Sequence, residues 1–252
     1  MKKYLSSLVL LISVSNYIAQ SFIDFGPKIL VGPSYLYNTD LLDNYSKYDY
    51  DGVPVAFGGG FKLAFDFNEH VAVVGEFIYT KHKQGYKFEE IDTASAVSTV
   101  YNKEIGYSSM QIPLMLRYNS GTMSYIEAGY VISMYSGITE TFDGQFASSA
   151  PSDVSSTYST GSGGLVLGFG SYVWGQDNFG ISAGFRVRYD LNDFSAASSK
   201  TPYTPVYGLD NAVVGSTNPV SLMLTIEFNY DLGFYMAKSP CNGRRTLLIG
   251  NK

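Results

Sequence analysis

Strict alternation of large apolar side chains with other residues over one long segment limits the possible folds of this chain. From Val53 to Phe67 the large apolar side chains fall on one face of an extended strand, whereas Lys62 and Asp66 fall on the other. Such alternation indicates a half-buried strand. Strands of soluble sandwiches average about five or six residues, so this one is long enough to cross a bilayer at a tilt. The segment therefore predicts a membrane-spanning strand.

The same alternation recurs through most of the chain and predicts seven further strands. They are expected near 28–38, 71–83, 105–119, 123–136, 162–175, 179–192 and 219–231. The predicted fold is an all-β, transmembrane, antiparallel up-and-down β-barrel of about eight strands. The mean hydropathy is +0.00, as expected for a barrel whose lipid-facing and lumen-facing residues alternate.

The connections between the predicted strands are of two alternating kinds. Short turns are expected at 68–70, 119–122 and 175–178, and long polar segments at 39–52, 84–104, 137–161 and 193–218. Outer-membrane barrels combine short periplasmic turns with long extracellular loops. With the N-terminus in the periplasm, every long segment is predicted to face the cell surface.

The N-terminus has the three-part layout of a secretory signal peptide. A basic start (Met1 to Lys3) precedes an apolar run (Leu5 to Val14) too short to span a bilayer, and a polar stretch follows. Cleavage after Ala19 is expected. We therefore predict a signal peptide over 1–19, Sec export to the cell outer membrane, a barrel over 20–231 and a periplasmic C-terminal extension over 232–252.

Composition argues against several classes of partner and cofactor. The net charge of -5 argues against nucleic acid. Two distant histidines and the single cysteine, Cys241, match neither a disulfide framework nor zinc-ligand spacing. A disulfide from Cys241 to a partner and an incidental free thiol both remain open. The glycine runs at 58–60 and 161–164 lack the helix that phosphate binding requires, so no metal or cofactor is predicted.

Ionisable residues with inward strand parity form the predicted lumen charge cluster. Its members are Lys62, Asp66, Glu76, Arg117, Glu127, Arg186, Arg188, Asp190 and Glu227. An eight-stranded barrel is just wide enough for side chains to fill, and charges buried there must pair. We therefore predict a plug of salt bridges, including an Arg117–Glu127 contact between adjacent strands. A polar ion path is the alternative.

Aromatic residues with outward parity gather near the two ends of the strands. They are Tyr35, Tyr37, Tyr79 and Tyr189 at the outer ends, and Phe65, Phe67, Tyr118, Phe179, Phe228 and Tyr230 at the inner ends. Two such groups are typical of the aromatic girdles at the two membrane interfaces. Outer-membrane lipid is therefore an expected partner of the wall.

The histidines offer little support for catalysis, and no enzyme activity is predicted. His70 lies in a predicted periplasmic turn. His82, near the outer end of its strand, is expected to be a rim residue that contacts lipid head groups or solvent. The alternative is a lipid-modifying or peptide-cleaving enzyme in which His82 is a general base beside Ser108 or Ser109.

One strand resembles a known family. Ile112 to Tyr118 (IPLMLRY) resembles a recurring strand of the small outer-membrane β-barrel domain family that includes PorT-like proteins. Tyr125 to Tyr130 (YIEAGY) resembles the following strand of that family, and Arg188 to Leu191 resembles, more loosely, its penultimate strand. The resemblance covers most of 25–231 and implies the barrel fold. Some members of the family serve type IX secretion and gliding.

These observations favour a non-enzymatic structural or interaction component of the outer membrane, including a subunit of a cell-envelope secretion or assembly complex. Protein partners would contact the extracellular loops, the barrel wall or the 232–252 extension. Three alternatives remain open: a narrow pore or small-ligand transport barrel, a surface lipid-modifying enzyme, and a soluble lipocalin-like barrel that folds without detergent.

Overall fold

The computed structural model describes most of the predicted barrel. The described residues are 20–38, 48–67, 70–92, 97–120, 123–143, 152–153, 155–176, 179–195, 216–238 and 245–250. The predicted signal peptide, Cys241 and most of the segments 39–52 and 193–218 lie outside the described residues, and the predictions about them stay predictions. Within the described ranges no helix is long and apolar enough to cross a membrane.

The described residues form eleven β-strands and one short 3₁₀ helix. In chain order they are β1 (Gln20–Asn38), β2 (Tyr48–Tyr50), β3 (Val55–Asp66), β4 (Val71–Asp92), β5 (Val97–Asn119), β6 (Ser124–Asp143), β7 (Ser152–Asp153), the 3₁₀ helix (Ser155–Thr157), β8 (Gly161–Gln176), β9 (Phe179–Asp190), β10 (Thr217–Lys238) and β11 (Arg245–Gly250).

Eight of these strands close into an antiparallel ring. The order is β1-β3-β4-β5-β6-β8-β9-β10, and β10 pairs back onto β1 with Lys28 opposite Glu227. Closure pairs the backbone groups that a sheet edge would otherwise expose. The predicted all-β, up-and-down barrel of about eight antiparallel strands is therefore confirmed.

The two ends of the barrel differ as predicted in the length of their connections. At one end, the turn end, β3 and β4 are separated by four residues (67–70), as are β5 and β6 (120–123), while two residues (177–178) separate β8 and β9. The opposite end, which carries the long connections, is the loop end. The predicted short turns are confirmed.

The structure corrects the expectation of two long loops, because 84–92 and 97–104 are strand and strand also covers 137–143 of the predicted loop 137–161. β4 and β5 stay in register from Val71↔Tyr118 to Asp92↔Val97, and β6 follows β5 as far as Asp143. The alternation continues because apolar side chains such as Tyr86 still point inward beyond the predicted strand end. The loop-end parts of β4, β5 and β6 form a sheet, to which β2 adds beside β4 and β7 beside β6; we call it the projecting sheet.

Backbone pairing also continues at the turn end beyond the predicted barrel boundary at 231. β10 extends to Lys238 and pairs with β1 as far as Tyr235↔Gln20. β11 pairs with the last six residues of β10, 233–238. The alternating side-chain pattern ends near Tyr230, but the hydrogen-bonded ladder does not. The assignment of 232–252 as a separate extension stays a prediction.

The barrel is apolar on its outside and polar within. Large apolar side chains on the outer wall are widely exposed, with Phe61 at 67%, Leu114 at 63% and Leu167 at 61%. Soluble monomers rarely expose so large a continuous apolar surface. Inward-facing positions instead hold buried charged and hydroxyl-bearing side chains. This inverted distribution is that of a transmembrane barrel, in which the outer belt faces hydrocarbon.

Candidate functional site

Strand parity places the ionisable side chains of the candidate site inside the barrel. On β9, Arg186 and Arg188 are 4% and 3% exposed and Asp190 is fully buried, whereas the intervening Val187 and Tyr189 are 43% and 38% exposed. Successive side chains of a strand point to opposite faces. Because charged and large apolar residues alternate along β9, all of its charged side chains point into the lumen.

Glu227 of β10 lies at the centre of the lumen and has no solvent exposure. Its carboxylate accepts hydrogen bonds from Lys28 Nζ at 2.6 Å and from Arg117 Nη2 at 2.9 Å. The hydroxyl of Ser182 donates a third at 3.1 Å. Charge-assisted bonds of this kind are the strong ones, so Glu227 joins β1, β5, β9 and β10 across the lumen.

Two further glutamates extend this network around the ring. Arg186 Nη1 donates to Glu76 at 2.5 Å, and Arg186 Nε donates to Glu127 at 2.9 Å. Lys28 lies 3.0 Å from Glu76. The predicted contact between Arg117 and Glu127 is present, with Nη2 and Oε2 at 2.8 Å.

Lys62 ties the network to the turn end, where its Nζ lies 2.5 Å from Asp24 and 3.4 Å from Glu227. We call the whole assembly the charge plug, and its members are Asp24, Glu76, Glu127 and Glu227 with Lys28, Lys62, Arg117 and Arg186. Four acids face four bases. Such a balance is required where an uncompensated buried charge costs several kcal/mol.

Three carboxylates in the charge plug also have the chemistry to bind a metal ion. Oxygen atoms of Glu76, Glu127 and Glu227 lie within 4.8 Å of one another. Each of these carboxylates, however, already accepts hydrogen bonds from a lysine or an arginine. Ammonium and guanidinium groups therefore supply the positive charge that a metal would otherwise bring.

The charge plug includes two residues that the sequence interpretation missed. Asp24 and Lys28 are 4% and 1% exposed and face the lumen from β1. The predicted first strand begins at 28, but the alternation extends further toward the N-terminus. Phe25 and Ile29 point outward, so the residues before them, Asp24 and Lys28, have inward parity.

The other predicted cluster members lie outside the plug. Arg188 and Asp190 sit one step nearer the loop end, with Nε and Oδ1 3.5 Å apart. Tyr135 donates its hydroxyl hydrogen to the other oxygen of Asp190. Asp66 is half-buried at the turn end.

His82 is buried inside the barrel, so the expectation that it contacts lipid or solvent at the rim is wrong. It is 4% exposed, because the parity of β4 sends Lys81 and Lys83 outward and His82 inward. Its ring nitrogens bond Ser34 Oγ at 2.8 Å, and Thr80 Oγ1 and Ser109 Oγ at 2.7 and 3.1 Å.

A serine beside a histidine is a pairing used in nucleophilic catalysis. Here Ser109 is 0% exposed, and Gln111 Nε2 also donates to it at 2.7 Å. The ring of Tyr107 stacks on His82 with centroids 4.5 Å apart. A general base must come within hydrogen-bond reach of its substrate, and both His82 and Ser109 are enclosed by protein.

A cluster of buried apolar residues, the aromatic cap, closes the lumen at the loop end. Its members are Leu36, Tyr86, Ile105, Tyr107, Tyr135, Ile138, Tyr158 and Phe194. Phe194 lies at its centre, with ring centroids 4.9 Å from Tyr107 and 5.1 Å from Tyr158. The lumen is thus occupied at two levels, by the charge plug below and by the aromatic cap above.

A buried ion pair lies beside the aromatic cap, beyond the outer apolar belt. On β4 that belt ends at Tyr79, because the next outward residues are Lys81 and Lys83. Further toward the loop end, Lys103 Nζ lies 2.8 Å from Glu140, which also accepts the hydroxyl hydrogen of Tyr158. Burial and the adjacent Glu140 carboxylate raise the pKa of Tyr158 above its ordinary value.

The predicted interface aromatics lie on the outer wall. Eight of them are exposed, namely Tyr37, Phe65, Phe67, Tyr79, Tyr118, Phe179, Tyr189 and Tyr230. Tyr35 and Phe228 are half-buried, and Tyr35 packs edge-on against Tyr50 at 5.6 Å. Their role as membrane girdles stays a prediction.

A closed antiparallel barrel with an apolar wall and an ion-paired lumen defines the class of small transmembrane β-barrels. Neither protein-family models nor curated proteins match the sequence.

Solved structures similar to this chain include three small barrels. Ail, the attachment invasion locus protein of Yersinia pestis, was solved with the heparin analogue sucrose octasulfate; it is 15% identical, with 84% of this chain and 98% of that chain covered and a TM-score of 0.33. Neisserial surface protein A is 12% identical, the match covers 82% of this chain and 95% of that chain, and the TM-score is 0.37. The outer membrane protein OprG from Pseudomonas aeruginosa is 12% identical, the match covers 84% of this chain and 95% of that chain, and the TM-score is 0.34.

Proposed function

We propose that this chain is an integral outer-membrane barrel, exported through the Sec pathway, that acts as a non-enzymatic structural or interaction component of the cell envelope. The observation that carries this proposal is the filled lumen. Glu227 at the centre of the charge plug is fully buried, and so is Phe194 in the aromatic cap. A lumen occupied in this way leaves the outer surface and the two ends of the barrel as its working surfaces.

The projecting sheet is the surface best suited to a partner at the loop end. It stands beyond the apolar belt and carries exposed ion pairs, with Lys83 Nζ 2.8 Å from Glu104 and Lys87 Nζ 2.9 Å from Asp51. Short strands β2 and β7 pair with its two flanks. These exposed charges favour a partner that docks on this face.

We further propose that the barrel is a subunit of a secretion or assembly complex. The resemblance of Ile112 to Tyr118 to the PorT-like family supports this finer assignment. In such a complex the projecting sheet would meet a surface partner, while 232–252 would meet a periplasmic one.

Gentle crosslinking in native membranes, followed by mass spectrometry, tests the proposal. Wild type should retain a defined partner. The double variant Lys83→Glu/Lys87→Glu, which reverses two charges of the projecting sheet, should lose a surface partner. His70→Ala at the turn end is the matched control and should keep it. Recovery of a lone monomer from all three samples would contradict the interaction role.

A further inference from the structure

A small cavity lies inside the barrel between the charge plug and the aromatic cap. Its volume is about 10 Å³, the room that one water molecule or one small ion needs. Its polar lining comprises Thr80, Gln111, Arg186, Arg188 and Ser221, and apolar side chains including Met223 complete the wall. The cavity therefore lies in the middle of the lumen, with five polar and five apolar side chains in its wall.

Arg188 gives this cavity an unusual electrostatic character. The residue is 3% exposed, and its closest ionic partner is Asp190, at 3.5 Å from Nε. Among the described residues, Nε, Nη1 and Nη2 find no hydrogen-bond acceptor. By contrast, Arg186 on the same strand donates to both Glu76 and Glu127. A buried guanidinium is strongly destabilising unless its hydrogen bonds are made, so Arg188 points to a ligand that accepts them.

The lining narrows the chemistry of that ligand. Among the residues that the structure describes, every polar side chain that lines the cavity carries N–H or O–H groups, and none is a carboxylate. An acceptor with a negative charge therefore suits it, whereas a metal cation does not. The volume excludes sulfate, phosphate and organic acids. A chloride ion is larger than a water molecule and fits when the adaptable side chain of Met223 moves aside.

We propose that the cavity binds one halide-class anion, with chloride as the natural occupant, held by Arg188 and Ser221. Bound chloride accepts the Arg188 N–H groups that Asp190 leaves without a hydrogen bond. A ligand that binds only the folded state raises its free energy of unfolding by RT ln(1 + L/Kd), where L is the free ligand concentration, and this gain grows with the logarithm of that concentration. The anion is therefore a structural ligand that stabilises the folded lumen between the charge plug and the aromatic cap.

Thermal unfolding of the full chain in detergent micelles tests the site. Chloride and bromide are compared with gluconate and sulfate at constant ionic strength, and folded protein is measured by heat-modifiable gel migration. In wild type the unfolding midpoint should rise with the logarithm of the chloride or bromide concentration once that concentration exceeds Kd. Arg188→Met should abolish this dependence, while Lys83→Met, which removes an exposed cation, should retain it. Equal midpoints in all anions, or an unchanged dependence in Arg188→Met, would overturn the proposal.

A measurement on wild type alone keeps the proposal falsifiable if Arg188→Met does not fold. Crystals grown in bromide should show an anomalous peak within hydrogen-bond distance of Arg188 Nη1 or Nη2. A density peak there without anomalous signal identifies water and refutes the halide site.

Discussion

Removing one charge from the centre of the charge plug should destabilise the barrel far more than the same change at its surface. Glu227→Gln keeps the size of the side chain but leaves four bases facing three acids. Lys28 and Arg117, at 2.6 and 2.9 Å, lose their shared carboxylate. Removing one partner of a buried ion pair costs about 3–5 kcal/mol. We expect the free energy of unfolding to fall by that amount.

Glu104→Gln is the matched control for this prediction. Glu104 forms an ion pair with Lys83 at a similar distance, 2.8 Å, but the two side chains are 44% and 67% exposed. Exposed pairs contribute about 0–1 kcal/mol. The same chemical change at a similar distance therefore separates the effect of burial from that of pairing.

Urea unfolding in lipid vesicles measures both variants, with linear extrapolation to water. Trp174 is the only tryptophan and is 50% exposed on the outer wall, so its fluorescence reports the loss of the barrel. The double variant Lys28→Met/Glu227→Gln restores equal numbers of acids and bases and should recover part of the loss. A Glu227→Gln effect within about 1 kcal/mol of the Glu104→Gln effect would refute the reasoning.

Three further perturbations have defined outcomes. His82→Ala should lower the free energy of unfolding by about 1–3 kcal/mol, because buried hydroxyl groups lose their hydrogen-bond partner, and it should leave the envelope lipid composition unchanged. His70→Ala at the exposed turn should have a smaller effect on stability, and equal effects of the two variants would contradict the buried role of His82. Gly60→Ala should cost about 1–3 kcal/mol, because a Cβ there lies 1.9 Å from a backbone oxygen of β4. Gly75→Ala, whose Cβ would lie 4.0 Å from its nearest atom, should be tolerated, and equal losses in both variants would contradict the steric reason. Because the pKa of Tyr158 is raised by burial and by its carboxylate neighbour, its stabilisation is complete below the unfolded value of about 10 and is lost as the pH rises above it. In Tyr158→Phe the unfolding midpoint should therefore fall less steeply with rising pH above about 10 than in wild type. Equal slopes in the two proteins would contradict this prediction.

Alternation of side chains predicts the barrel and much of its interior, although the sequence interpretation leaves out Asp24, Lys28 and the buried His82. Period-two patterning assigns each side chain to a face, so the outward Phe61 and the inward Lys62 could be read directly from the sequence. The inward parity of Arg117 and Glu127, on strands joined by a short turn, was enough to predict their contact.

Other features depend on tertiary context that a single sequence does not contain. Strands β4 and β5 pair with each other over 84–92 and 97–104, although the polar residues there resemble a loop. The two lysines beside His82 suggest an exposed rim, whereas the parity of β4 places His82 in the lumen. The convergence of Lys28 and Glu227 depends on barrel closure between β1 and β10, at a sequence separation of 199 residues.

Conductance across planar lipid bilayers tests the filled lumen most directly. Protein whose insertion is verified by heat-modifiable migration should be electrically silent, because the charge plug and the aromatic cap occupy the lumen at two levels. Phe194→Ala should remain silent as well, since the charge plug persists. Steady single-channel conductance from wild-type protein would contradict the account and favour a narrow pore.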